Sequence, residues 1–221
     1  ASRVVMFAGR GVPRVDLYDY AKMFAAMSEQ AENNQLAGLD ASVWLPMDRL
    51  PAGDRIPLRS VKFYVDAAGE DEAGGLPSNW GALGGVSFND IFKTGRTDLR
   101  IEYADNHSST KPNVFYNHGV YTSGYTYEDR IIGHHMGTDS RDVFVQISHY
   151  LSDRLLLDLI YNRQTHDLSA QTHPRIDVYE CNLTILALGD WRAMAGYRYE
   201  EGRGAGVEDD QVVQFQLIRR F

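Results

Sequence analysis

In "DQVVQFQLIRRF", Val213, Phe215 and Leu217 alternate with Gln214, Gln216 and Arg220, and Phe221 follows. One apolar and one polar face at a period of two marks a β-strand lying between two media. The alternation recurs upstream. "QLAGLDASVWL" sets Ala37, Leu39, Ala41, Val43 and Leu45 against Gly38, Asp40, Ser42 and Trp44, and "RSVKFYVDA" sets Val61, Phe63 and Val65 against Lys62, Tyr64 and Asp66. "TDLRIEYAD" sets Leu99, Ile101 and Tyr103 against Arg100 and Glu102, and "LLLDLIYNRQ" sets Leu155, Leu157, Leu159 and Tyr161 against Asp158, Asn162 and Gln164. "DVYECNLTILAL" and "WRAMAGYRYE" behave alike, with Tyr179, Cys181, Leu183 and Ile185 on one face of the first and Trp191, Ala193, Ala195, Tyr197 and Tyr199 on one face of the second. With weaker candidates at 2–8, 81–88 and 142–151, the pattern predicts about ten strands.

Charged residues occupy the polar face in mid-strand, which a soluble β-sandwich also tolerates. Two further features favour an outer-membrane barrel. Strands of ~10 residues tilted near 45° cross ~25 Å, the height of a bilayer's apolar band. Trp44, Trp191, Tyr199 and Phe221 stand near strand ends, where interfacial aromatic girdles lie. Tight turns, "SD" near 152 and "GD" near 189, alternate with longer connections at 9–34, 68–80, 105–141, 166–174 and 201–210. Short turns on one rim and long loops on the other is the barrel arrangement. Two turns on the short side, 46–57 and 89–96, exceed the usual length. Arg219 departs from the apolar face of the last strand and is expected to snorkel to the interface. One segment, 14–30, spaces Leu17, Tyr20, Phe24 and Met27 at helical intervals behind a possible Asp16 N-cap, which predicts a helical insertion over the barrel mouth or on a partner surface.

Composition narrows the partners. The 221 residues carry a net charge of −8, which argues against nucleic acid, whose phosphates need a basic field. The single Cys181 excludes an internal disulfide. No run approaches the ~18 apolar residues of a spanning helix. "ASRVVMFAGRG" lacks the basic start and apolar core of a signal peptide, so a processed chain or a fragment is expected. Thirteen Tyr and 20 Gly suit an all-β chain.

Three stretches then carry a resemblance. "NNQLAGLDASV" (33–43) opens a strand behind the helical segment. "GEDEAGGLPS" (69–78) follows the next strand. "YEDRIIGHHMGTDSRD" (127–142) precedes a later one and holds Gly133, Gly137 and Asp139. In this order, with a barrel-type C-terminus, they resemble the C-terminal half of the Wzi capsule-assembly family, and the acidic-Gly stretch is the most specific of the three. The resemblance implies an outer-membrane β-barrel that retains capsular polysaccharide at the bacterial surface, lectin-like and non-catalytic. It also implies a full barrel roughly double this length, so that the missing N-terminal part of the same barrel becomes a partner, together with outer-membrane lipid and the polysaccharide.

Several residue groups are candidates for chemistry. In an extended segment the neighbours His134 and His135 point to opposite faces, so they share no metal ion unless the chain turns sharply, and no metal or other cofactor is expected. His107, Ser108, Ser109, Ser123, Asp129 and Asp139 in loop 105–141 permit a Ser–His–acid set, but no nucleophile motif surrounds them. The saccharide reading takes Tyr121, Tyr125 and Tyr127 as stacking platforms, and Arg130, His134, His135, Asp139 and Arg141 as polar contacts from the same loop. Glu70, Asp71 and Glu72 are expected in a structural turn that meets arginines such as Arg100 or Arg198 rather than calcium. Gly133 and Gly137 are expected as turn points, with Asp139 and Arg141 latching the loop's return to the strand near Asp142. Lumenal Lys62, Arg100, Glu102, Arg192, Arg198 and Glu200 are expected to form a salt-bridge lattice.

The expectation is therefore an all-β transmembrane antiparallel barrel over 1–221, or the C-terminal part of a larger one, with a helical insertion at 14–30 and a long outer loop at 105–141. It sits in the outer membrane and binds surface polysaccharide without catalysis. A porin-like channel, an outer-membrane hydrolase and a structural partner of a surface assembly remain as alternatives.

Overall fold

The computed structural model describes residues 1–6, 16–18, 21, 34–73, 76–109, 111–117, 124–128, 130–188 and 191–219, of which 3, 5, 6, 34, 35, 71–73, 76–78, 187 and 188 are described by backbone alone. Ten antiparallel strands make one sheet: β1 (Ser2–Met6), β2 (Asn34–Pro46), β3 (Leu58–Ala73), β4 (Leu76–Ile91), β5 (Thr97–Asp105), β8 (Arg141–Ser152), β9 (Leu155–Thr165), β10 (Arg175–Leu188), β11 (Trp191–Arg203) and β12 (Asp210–Arg219). They follow one another in chain order, and β1 and β12 are the two edges. Two short strands, β6 (Thr126–Tyr127) and β7 (Arg130–Ile131), pair only with each other inside the long loop.

Cross-strand register extends the sequence alternation over the whole sheet. Tyr64, Gly85, Glu102, Phe144 and Asn162 are successive partners in one row. The adjacent row on the opposite face is Val43, Phe63, Val86, Ile101, Val145, Tyr161, Tyr179 and Tyr199. That row starts near the tight-turn end of β2 and finishes near the loop end of β11, as the stagger of tilted barrel strands requires. The first face buries polar groups: Glu70, Glu102, Asn106, Asp142, Asn162 and Asn182 are each under a tenth exposed. The second leaves apolar groups bare, Leu39 at 57% and Phe215 at 81%. A sandwich would cover those residues with a second sheet and expose the charges. The inverted arrangement belongs to a barrel wall, with lipid outside and polar side chains inside.

The apolar band has marked limits. Trp191 stands at the tight-turn end of β11 opposite Arg219, whose guanidinium lies 5.6 Å from the indole. Tyr161, Tyr179 and Tyr199 line the loop end, with ring centroids 5.3 and 6.4 Å apart. Eight steps of about 3.3 Å on a tilted strand separate Trp191 from Tyr199 by roughly 20 Å, near the height of the apolar band. Trp44, expected in a girdle, instead faces the lumen as the register partner of Lys62.

Of the six residues expected in a lumenal lattice, four form two ion pairs, each within one strand. Arg100 Nη2 lies 2.5 Å from Glu102, Tyr64 also donates to Glu102, and Arg198 pairs with Glu200 at 2.5 Å. Gly85 makes room for this arrangement: a Cβ there would sit 2.2 Å from the Tyr64 ring.

Several expectations need correction. The connection 68–80 is not an open loop, and Glu70, Asp71 and Glu72 are not in a turn. All three lie in β3, with Glu70 paired to Asn79 and Glu72 to Pro77. Small residues at Ala67, Ala68, Gly81 and Ala82 let β3 and β4 stay paired well past the band, so the charged stretch is the upper part of a long hairpin. The expected arginine partners are engaged elsewhere, Arg100 with Glu102 and Arg198 with Glu200, while Glu70 accepts the backbone N–H of Tyr116 at 3.0 Å. The two longer connections on the tight-turn rim dock together. The link from β2 to β3 contains two short 3-10 turns, Met47–Arg49 and Gly53–Arg55. Phe92 donates its N–H to Pro57 O at 2.7 Å, and Lys93 Nζ reaches Gly53 O at 3.2 Å. Of the expected helix 14–30, Leu17 and Tyr18 are helical and Asp16 Oδ1 caps the Tyr18 N–H at 2.8 Å. Tyr20, Phe24 and Met27 lie outside the described residues, as does Phe221.

Candidate functional site

The described parts of loop 105–141 fold back over the lumenal face of β3–β5. Its two ends close on each other: Asn106 N–H donates to Ser140 O at 3.1 Å, Asn106 Oδ1 accepts Ser140 N–H at 2.9 Å, and Asn106 Nδ2 donates to Gly137 O at 2.6 Å. Within the loop Tyr125 N–H donates to Tyr116 O at 3.0 Å, and Ile132 N–H donates to Tyr125 O at 2.7 Å. Phe115, Tyr125 and Met136 bury themselves between loop and sheet with Ala104. The loop therefore has its own small apolar core, and the buried Glu70 carboxylate ties it to β3 through Tyr116.

Between this loop and the lumenal face of β3–β5 lies a cavity of about 380 Å³. Phe115, Tyr116, Leu83 and Met136 supply apolar walls, and Asp66, Asn106 and His134 supply polar groups. The size and the mixture of apolar wall with few polar groups suit a small ligand or one or two sugar rings. Tyr116 is held by its hydroxyl, which accepts the His134 N–H at 3.1 Å, and burial raises its pKa. Gly133 lies in a bend, as expected. It is the residue on which the Tyr116 ring lies, since a Cβ there would come within 2.6 Å of the ring. Gly137 turns the chain, at φ +75°.

The two histidines correct the expectation that they diverge. Gly137 N–H donates to His134 O at 3.1 Å, so the chain bends here and the rings stack with centroids 4.4 Å apart. Their environments differ. Burial and the neighbouring His135 lower the His134 pKa. His135 Nε2 lies 2.9 Å from Asp142 Oδ2, and this hydrogen bond raises its pKa against the opposing effect of burial. Asn162 Nδ2 donates to the same Asp142 oxygen at 2.7 Å. The two stacked rings are thus shifted in opposite directions, His134 toward its neutral form and His135 toward its protonated one. Among the described residues no three His, Cys, Asp or Glu side chains gather as a metal ligand set.

Other predicted site residues have separate places. Tyr125 is buried, and burial together with Glu70 pushes its pKa up. Asp139 is buried at 1% exposure and latches two loops. It accepts from His107 at 2.6 Å and from Ser169 N–H at 2.8 Å, while its carbonyl accepts Leu168 N–H at 3.0 Å. Burial alone would raise the Asp139 pKa, but the His107 and Ser169 hydrogen bonds hold it below the usual carboxylate value. Tyr127 and Arg130 are register partners on β6 and β7, and both are exposed. Arg141 stands on the outward face, 2.7 Å from Asp105. Tyr121 lies outside the described residues. Sequence reasoning left Asn106 and Asn162 out of the site; asparagines in and near a loop carry no periodic signal, and their roles depend on partners 34 and 20 positions away.

An antiparallel sheet with an apolar outer face, a polar lumenal face and a cavity at its loop end has the character of an outer-membrane β-barrel wall. The chain belongs to the capsule assembly protein Wzi family, whose model matches residues 1–216. Its fold is similar to the solved structure of Wzi from Escherichia coli, an outer-membrane protein involved in group 1 capsule assembly and a carbohydrate-binding β-barrel. The TM-score is 0.68 at 19% sequence identity, over 97% of this chain and 46% of that one. The chain thus spans about half the length of the structure it matches. Among curated proteins no sequence gives a significant match.

Proposed function

We propose that this chain forms the part of an outer-membrane barrel that binds surface polysaccharide, most simply a capsular polymer, in a lectin-like and non-catalytic way. The observation that carries this reading is the cavity under loop 105–141, with Tyr116 and Phe115 as aromatic walls and His134, Asn106 and Asp66 at its edge. Rigid aromatic faces meet sugar C–H surfaces at low entropic cost, and the few polar groups select hydroxyl orientation. Tyr127 and Arg130 on the exposed hairpin extend the contact outward, where a guanidinium suits the carboxylates of an acidic polymer. Binding without turnover is supported by the state of a Ser–His pair among the described residues beside the loop. Ser140 Oγ lies 3.1 Å from His166 Nδ1, but Ser140 is fully buried and its hydroxyl donates to Thr138 O at 2.6 Å. Membership of the family supports the polysaccharide as ligand class. The remainder of the barrel, pairing with the edges β1 and β12, is the proposed protein partner.

The test is retention of labelled surface polysaccharide from the parent bacterium by the complete protein in detergent. His134→Ala and the pair Tyr127→Ala with Arg130→Gln are expected to weaken retention by about tenfold or more, the loss of one or two good contacts. Undiminished retention in both variants would overturn the assignment of this mouth.

A further inference from the structure

Above the tyrosine girdle, the outward face of β8–β10 changes character within two rows. The first row pairs Arg163 with Asp177, and the second runs Arg141, Thr165, Arg175 across three strands. Each successive row lies about 5 Å further from the apolar band, two residue steps on a tilted strand, so these groups stand at head-group height. They are outside the barrel wall, on the face that carries Leu159 and Tyr179, and take no part in the saccharide cavity.

Three guanidiniums therefore frame one hydroxyl. Arg141 and Arg175 are the direct cross-strand neighbours of Thr165, and Arg163 is two residues away on the same face of the same strand. The acids that face them are accounted for. Asp177, 1% exposed, lies 2.7 Å from Arg163 Nε and 3.0 Å from Arg175 Nε, and also accepts the Tyr161 hydroxyl at 2.8 Å. Asp105 lies on the far side of Arg141 and accepts from it at 2.7 Å and from Tyr103 at 3.1 Å. One strand further on, Glu201 pairs with Arg203 at 2.6 Å. Around Thr165 two arginines share one carboxylate, which leaves an excess positive charge. The Nε atoms of Arg141 and Arg163 are fixed by hydrogen bonds to carboxylates, and their side chains remain about half exposed. The Nε of Arg175, though close to Asp177, is buried without a hydrogen-bonding partner.

Carboxylates that clamp the Nε side of a guanidinium hold its terminal N–H edge in place. Such edges recognise the oxygens of a phosphate in pairs. At this height outside the wall, the anion at hand is the head group of the outer leaflet. We infer that Arg141, Arg163 and Arg175 hold a phosphate of a phosphorylated glycolipid of that leaflet against Thr165. The site lies on the barrel's outer surface and is independent of polysaccharide binding at the mouth.

The experiment uses the complete protein in detergent, titrated with bis-phosphorylated lipid A and with enzymatically dephosphorylated lipid A, and read by native mass spectrometry. The phosphorylated lipid is expected to bind about tenfold tighter, the worth of one or two charge-assisted hydrogen bonds. The preference is expected to vanish in Arg163→Gln with Arg175→Gln, while retention of surface polysaccharide stays unchanged. Equal binding of the two lipids to the wild-type protein overturns the inference. So does a folded double variant, judged by heat-modifiable migration, that keeps the preference. Should the double variant fail to fold, Arg141→Gln provides the same readout at an exposed position. A preference for the phosphorylated lipid that survives in this variant also counts against the site.

Discussion

Glu102 and Tyr103 are consecutive residues of β5 with opposite surroundings. Glu102 is buried on the lumenal face, where Arg100 and Tyr64 hold it. Tyr103 is 48% exposed on the outward face. In a soluble protein the tyrosine would be the covered residue and the carboxylate the bare one. The inversion is that of a barrel wall, with an apolar outer face and a polar lumenal one. The two faces therefore obey different energetic rules: outside, the penalty falls on charge, and inside it falls on lost partners and lost space.

That contrast is most directly broken by placing the same charge on each face. Leu159→Arg puts a guanidinium in the outward band, beside its register partner Cys181, and is expected to cost about 2–4 kcal/mol, whereas Ile160→Arg faces the lumen and is expected to cost much less. Urea unfolding in lipid, followed by heat-modifiable migration, measures both; equal losses would mean that the faces are misassigned. Next in size is Gly85→Val, which drives a side chain into the Tyr64 ring and is expected to destabilise by about 1–3 kcal/mol. The same exchange at Gly84, whose Cβ would meet nothing within 4 Å on the outward face, is expected to be tolerated. The same unfolding assay separates the two.

Smaller effects come from the mouth, where two latches respond to pH in opposite directions. The His135 pKa is raised in the folded state, so its contribution is full below the ordinary histidine value and is lost as pH rises through the folded value. The Asp139 pKa is lowered, so its contribution is present above the ordinary carboxylate value and is lost as pH falls through the folded value. Hydrogen exchange is expected to show 131–137 better protected at pH 6 than at pH 8, and 167–169 to lose protection only in strong acid. With His135 half exposed, solvent screening limits the first effect to a few tenths of a kcal/mol. Smallest of all, Tyr127→Ala at the exposed hairpin is expected to shift stability by less than about 0.5 kcal/mol while it weakens polysaccharide retention.

The alternation of side chains was legible because it is local. Val213, Phe215 and Leu217 declare one face without any knowledge of β11. Turn chemistry was less reliable. "GEDEAGG" looks like a loop by composition, yet Glu70 and Glu72 pair with Asn79 and Pro77 in a hairpin that continues past the membrane band. Pairing with a neighbouring strand outweighed the weak β-preference of Gly, Asp and Glu. The Tyr, Arg and His content of the long loop was legible, but the contacts its residues make were not. Asp139, proposed as a sugar contact, is enclosed by His107 and Ser169, and Tyr125 belongs to the loop's own core. Gly137 was legible as a turn point, but the stacking of His134 on His135 that its turn brings about was not, because the pair was read as an extended segment.

By itself, then, the sequence determined the class of the protein: the period of two, the apolar outer face, the aromatic ends and the alternating short and long connections all follow from residues close together in the chain. Only the tertiary structure decided which residues become neighbours across strands. Arg141 and Arg175 meet at Thr165, and Asp142 collects His135 and Asn162, because of one particular register. Register depends on the stagger of every strand between them. Side-chain alternation constrains that stagger only to even steps, so the choice among those steps rests with the packing of the whole sheet.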